Sequence, residues 1–376
     1  MFSFTAVSDR LDDAVARRVF PCATIEVGSS DDVHWQHACG TLSYDDDATP
    51  AALDTVFDLA SLTKVLATTT LVMQAVDRDN PDDQHHKDDH GDDDDHNNRD
   101  QDGQRALRLD DTLDRWFDAW RGDDRRDVTV TDLLEHASGL TAHLPFFRDH
   151  RGRAEFQHVI CTLPLEYRPR SASVYSDLGF ILLAFIVADA AGISIDVQFD
   201  RLAHRLALGD LRYRPPTAWR PRIAPTEVDG WRGRLLRGEV HDENGWALGG
   251  VAGHTGLFGT APAVGRFARA LLDTLHGSTR LANPATLRRF LQPSPVPGSS
   301  RALGWDTMLL TSSCGHRLSP QAFGHTGFTG TSLWLDPSQD LYIVLLTNRV
   351  HPSRTNNAIL EVRPAVHDAV VDALAG

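Results

Sequence analysis

Of the 37 basic residues in the chain only two are lysines, Lys64 and Lys87. Arginine serves wherever a fixed positive charge suffices, so a solitary lysine is a candidate for what arginine does not do, namely lose its proton near neutral pH. Lys87 lies in an acidic low-complexity tract. Lys64 stands in Asp58-Leu59-Ala60-Ser61-Leu62-Thr63-Lys64, a Ser-x-x-Lys spacing at the head of an apolar run. Residues i and i+3 share a helix face, which brings the Ser61 hydroxyl within reach of the Lys64 amine. Burial lowers a lysine pKa and lets the amine accept the serine proton, while a helix N-terminus favours developing negative charge. A capping serine beside a snorkelling lysine gives the same pattern without chemistry.

Two further segments carry usable groups. Tyr175-Ser176-Asp177 opens the apolar run Leu178–Leu183: either Ser176 or Asp177 caps the helix and Tyr175 only packs, or the Tyr175 phenol is a second proton acceptor and donor beside Lys64. Gly324-His325-Thr326-Gly327-Phe328-Thr329-Gly330 precedes a C-terminal hairpin. Its glycines allow a substrate to approach a strand edge, where backbone N–H groups bind an oxyanion.

Ser61-x-x-Lys64, Tyr175-x-Asp177 and His325-Thr326-Gly327, in that order, resemble the three motifs of serine β-lactamase/penicillin-binding-protein-like hydrolases. The likeness is to the branch of class C β-lactamases, D-aminopeptidases and family VIII esterases. It extends to Leu133-Leu134-Glu135-His136-Ala137-Ser138-Gly139-Leu140 and Gly253-His254-Thr255-Gly256-Leu257-Phe258. The resemblance implies Ser61 as the acylated nucleophile, and Lys64 and Tyr175 as partners in general-base and general-acid work. It implies an oxyanion hole from the backbone N–H groups of Ser61 and Phe328, and substrate binding by Asp177, His325, Thr326 and Gly327. No counterpart of the separate deacylating glutamate of class A β-lactamases is visible, so Tyr175 with Lys64 would also activate the deacylating water.

Two departures bear on the substrate. The third motif usually begins with lysine, which helps bind a substrate carboxylate; a histidine there is at most partly charged at pH 7. Ester or D-amino-acid peptide hydrolysis is therefore expected ahead of efficient β-lactam hydrolysis. Asp177 stands where asparagine is commoner. If it is ionised and touches Lys64, it holds the lysine charged; then either Tyr175 carries the base function or Asp177 faces the substrate.

The elements that position these groups follow from patterning. Residues 23–39 read as a β-hairpin, 61–76 as an apolar helix, and Thr131–Ala137, Leu178–Ala190 and Val264–Leu275 as helices. Thr331–Leu335 and Leu341–Thr347 flank a polar turn, and Asn357–Leu374 closes with a helix. Strands at both ends imply an α/β (α+β) fold of the β-lactamase/transpeptidase type: an antiparallel sheet flanked by helices, with an inserted mostly helical domain. Residues 1–60 and 291–376 would form the α/β domain and 61–290 the helical one, with 77–103 a disordered insertion.

Composition narrows the function classes. The net charge of −15 argues against nucleic-acid or anionic-membrane partners, and much of it sits in the Asp/His-rich tract Asp77–Asp102. No run of eighteen apolar residues is present, so no membrane span is expected. The start lacks a basic, then apolar, leader, and a cytoplasmic location is the expectation. Cys22, Cys39, Cys161 and Cys314 form no C-x-x-C motif, and Cys22 and Cys39 read as apolar strand residues. Asn98-x-Asp100-x-Asp102-Gly103 fails as a calcium loop because its twelfth position is Leu109. No metal and no cofactor are expected. His254 is set aside as the motif histidine because a helix, not a hairpin, follows it, and His241-Asp242-Glu243-Asn244 reads as an exposed loop. The substrate is then a small ester, amide or peptide. The alternatives are an inactive binding or regulatory protein on this fold, for which Asp177 is the main argument, and a cell-wall peptide carboxypeptidase or transpeptidase.

Overall fold

The computed structural model of the chain describes residues 2–78, 104–309 and 311–375. Lys87, the bulk of the acidic tract and the Asn98–Gly103 segment lie outside the described residues. The strands that matter are β1 (Cys22–Gly28), β2 (Val33–Gly40), β3 (Asp306–Thr307), β4 (Phe323–Thr326), β5 (Ser332–Asp336) and β6 (Leu341–Thr347). They form one antiparallel sheet in the order β2-β1-β6-β5-β4-β3, with β1 and β6 adjacent although some three hundred residues apart in the chain.

Strand β6 shows why the sheet is central. Leu341, Ile343 and Leu345 enter one hydrophobic cluster, while Tyr342, Val344 and Leu346 enter the other. Period-2 alternation with both faces covered turns a strand into a continuous apolar run, here Leu-Tyr-Ile-Val-Leu-Leu. Helices α1 (Thr5–Ala16) and α5 (Ile359–Ala375) cover the first face. The β5–β6 turn is held by Asp336, whose carboxylate accepts from Ser338 N–H and from the Ser319 hydroxyl. Cys22 and Cys39 are free and pack into opposite clusters.

Helix α3 (Asp177–Ala191) is the axis of the helical half. It is apolar all round, starts at the Ser176 cap and stops at Gly192, whose φ of 68° ends a helix without the Cβ penalty. Helix α4 (Ala261–Leu275), which follows the first His-Thr-Gly, packs back on the sheet with Gly265 facing Glu26 and Tyr342.

The expected helix over 61–76 is two pieces. Lys64–Thr69 is a wide π turn, and α2 (Thr70–Arg78) follows it. The run Thr68-Thr69-Thr70 explains the widening: the Thr70 hydroxyl donates to the Val65 carbonyl and the Thr68 hydroxyl to the Gly253 carbonyl. Side-chain hydroxyls thus replace part of the α ladder, and π turns of this kind recur at functional sites.

Candidate active site

Ser61 is delivered by a strained approach. Phe57–Asp58 pairs with Phe258–Gly259, and Ala60 then takes a positive φ of 46°, unusual for a residue with a Cβ. Its N–H donates to the buried Asp58 carboxylate at 2.9 Å, which also accepts the His241 N–H at 2.7 Å. Ser61 Oγ accepts from Lys64 Nζ at 2.9 Å. Lys64 is fully buried and donates at 2.7 Å to Asp177 Oδ1 and at 3.3 Å to the His254 carbonyl.

Asp177 therefore faces the lysine, and it also lines the cavity over Ser61. Burial alone would raise the Asp177 carboxyl, but Lys64 and His143 hold it well below the usual carboxylate range. Burial likewise works to lower Lys64, yet Asp177 and Tyr175 outweigh it and the lysine is pushed up. The resting pair is an ammonium and a carboxylate. Tyr175, with its ring centroid 4.7 Å from Lys64 Nζ, is raised by burial, opposed by Lys64.

Two histidines flank Tyr175, His136 at 4.7 Å and His325 at 5.8 Å between ring centroids. Burial pulls both pKa values well below the ordinary imidazole range, with Arg301 and Lys64 adding to the effect. Both are neutral at pH 7, and their partners set opposite tautomers. His136 Nδ1 accepts the Ser176 N–H, so its Nε2 carries the proton. His325 Nδ1 donates to the Thr326 carbonyl, so its Nε2 offers a lone pair. Neither Nε2 has a partner among the described residues.

The third motif is an open edge. Strand β3 pairs only with Phe323 and Gly324, leaving His325 and Thr326 uncovered. Gly327 then passes so close to the Ser61 segment that a Cβ there would sit 2.6 Å from the Leu59 carbonyl oxygen. The Thr329 and Thr331 hydroxyls donate to the carbonyls of Asp58 and Leu59, tying the two segments together. The Ser61 and Phe328 N–H groups donate to no described residue, which leaves both free for an oxyanion. Arg349 Nε donates at 2.8 Å to the Phe328 carbonyl, in the peptide that follows the Phe328 N–H. A cavity of about 540 Å³ opens over Ser61, Tyr175, Asp177 and His325–Phe328.

His254, set aside as the motif histidine but open to a place in the cleft as a loop residue, lines the cavity and pairs through Nε2 with Asp242 at 2.9 Å. The 241–244 segment is not an exposed loop: His241 is buried against Glu227, and Asn244 is buried with its amide on the Leu144 carbonyl. Arg301, Arg349, Arg354 and Arg363 bring positive charge into the cavity wall. The available signal was local: Arg363 and His367 occupy the buried stripe of α5 together with Val362, Val366 and Val370. Among the described residues Asp177, Asp242 and His254 lie close enough to hold a cation, but their ligand atoms are already taken by Lys64 and by each other.

The Beta-lactamase family model matches residues 7–365. A protein from Salmonella gallinarum, provisionally named a D-alanyl-D-alanine carboxypeptidase, is 29% identical over 332 residues, which cover 81% of this chain and 72% of the relative. A class C beta lactamase from Rhodobacter sphaeroides superposes with a TM-score of 0.72 at 19% identity, over 98% of this chain and 99% of its own. A hydrolase with promiscuous acyltransferase activity gives a TM-score of 0.70 at 19% identity, over 96% and 97%. At such identities the two structures establish the fold, an antiparallel sheet flanked by helices as in the β-lactamase/transpeptidase architecture.

Proposed function

The chain belongs to the beta-lactamase family, and on that premise we propose that it is a serine hydrolase that cleaves a small ester or amide, with D-amino-acid peptides as the favoured amides, through an acyl-enzyme on Ser61. The observation that carries the reading is the Lys64 ammonium bridging Ser61 Oγ and Asp177 beside the Tyr175 ring. Because Asp177 keeps Lys64 protonated, Tyr175 is the base. Its phenolate, stabilised by Lys64, takes the Ser61 proton as Oγ attacks the substrate carbonyl carbon. The carbonyl oxygen becomes an oxyanion held by the Ser61 and Phe328 N–H groups. The phenol then returns the proton to the departing alcohol or amine. A water repeats the cycle and frees Ser61.

The Lys64–Asp177 pair also favours a second reading, a binding protein that kept the fold and lost turnover. Intact-mass measurement after brief exposure to a fluorophosphonate separates the two. One adduct on the wild type and none on Ser61→Ala is the result expected of the hydrolase; no adduct on either assigns the chain to the second reading.

A further inference from the structure

The cations of the cavity wall are not equivalent. Lys64 has Asp177, Arg301 has Asp306, and Arg354 has both Glu227 and Glu243. Arg349 spends its Nε and Nη1 on the carbonyls of Phe328, Arg354 and Asn356, and its Nη2 donates to no described residue. Arg363 has none of this. It is 4% exposed, its Nε is buried without an acceptor, and it makes no hydrogen bond or ion pair with any described residue. The one charge that acts on it is another cation, Arg349. Burial draws its pKa down to about 10, which still leaves a full positive charge at pH 7.

A buried guanidinium without an anion is costly, and such groups are paired in folded proteins unless a ligand completes them. Arg363 reaches the same cavity as Ser61 and His325. In the resemblance a lysine at the head of the third motif helps bind a carboxylate, yet here that position is a neutral imidazole. The missing charge is present on a different element, the last helix.

We propose that Arg363, with the free Nη2 of Arg349 beside it, is an anion subsite that receives a carboxylate of the substrate acylating Ser61. A single uncompensated cation matches a monoanion, and the planar fork of a guanidinium suits a carboxylate. The substrate class narrows accordingly to a carboxylate-bearing peptide or ester. The inference rests on the Ser61 hydrolase reading, so its test keeps the two apart.

A D-alanyl-D-alanine peptide with a free C-terminus, its C-terminal amide, and an amidated analogue with a D-glutamate side chain are compared on the wild type, Arg363→Met and Arg363→Lys. p-Nitrophenyl acetate serves as a neutral reference. The wild type should prefer a carboxylate-bearing peptide by about 10- to 100-fold in kcat/KM. Arg363→Met should erase that preference and Arg363→Lys restore part of it, with turnover of the neutral ester falling by less than that of the carboxylate-bearing peptide. The arm that carries the preference tells a terminal carboxylate from a side-chain one. An undiminished preference in Arg363→Met, or none in the wild type, overturns the subsite. Arg363→Met should also melt no lower than the wild type, since no hydrogen bond or ion pair is lost and a buried unpaired charge is removed. A lower melting temperature together with lost ester turnover would make Arg363 structural and overturn it as well. Should the wild type turn over nothing, the Ser61 reading fails; calorimetric binding of the same peptides to wild type and Arg363→Met then decides the subsite alone.

Discussion

His-Thr-Gly stands twice in the chain, at 254–256 and 325–327, and both histidines line the cavity around Ser61. The first copy belongs to the charged half of the site. Its imidazole meets Asp242 and its carbonyl receives Lys64, which is itself locked to Asp177. The second copy belongs to the neutral half, with His325 and His136 uncharged on either side of Tyr175. The same three residues do different things because one copy sits in a loop beneath α3 while the other begins at the end of β4, past the reach of β3. What a tripeptide can do is set by the partners its element brings near, and of the two only the second copy presents an open strand edge.

Moving the chemistry between the halves is the most severe test. Tyr175→Phe should lower kcat/KM for p-nitrophenyl acetate about a thousandfold, the usual scale of general acid–base work. Lys64 stays buried against Asp177 in that variant. A Tyr175→Phe protein that kept its turnover would place proton acceptance in the charged half, on Lys64.

The two glycines should separate next. Gly327→Ala forces a Cβ toward the Leu59 carbonyl and displaces the Ser61 segment, at a cost of about a hundredfold in kcat/KM. Gly256 has a φ of +117°, so Gly256→Ala stores backbone strain of about 1–3 kcal/mol. The expected readout is a lower melting temperature, with kcat/KM within a few-fold. Equal losses of activity in both would mean that the two copies share a role after all.

The smallest effect sharpens the boundary between the halves. Burial and the Asp177 charge raise Tyr175, and Asp177 raises Lys64, so the active state, a Tyr175 phenolate beside the Lys64 ammonium, becomes populated only as pH rises. Removing that charge in Asp177→Asn lowers both pKa values. The rising limb of kcat/KM against pH should then move about one unit toward acid, a tenfold gain along that limb. A limb that stays in place, or moves toward alkali, would show that Asp177 does not govern the proton inventory.

Much of the frame was legible in order. The alternation in Leu341–Leu346, the cap and stop of α3 at Ser176 and Gly192, and the hairpin turn at Asp336–Asp340 are local patterns that local forces obey. The π turn at Lys64–Thr69 was not legible, because its cause includes a hydroxyl bond from Thr68 to Gly253, 185 residues away. The 241–244 segment failed for a similar reason: polar residues read as exposed, and two of their buried partners, Asp58 and Leu144, lie 183 and 100 residues away in the chain.

By itself the sequence determined which groups are available and in what order: one lysine three residues after a serine, a tyrosine at a helix start, and a glycine-rich strand edge. The tertiary structure alone decided their charge states and partners. Asp177 reaches Lys64 across 113 residues of chain, His325 and His136 lose their protons to burial, and Arg363 is left in the cavity wall without an anion. The physical reason is that a side chain's pKa and pairing depend on the dielectric and the charges around it. Those are supplied by distant segments that only the folded chain assembles.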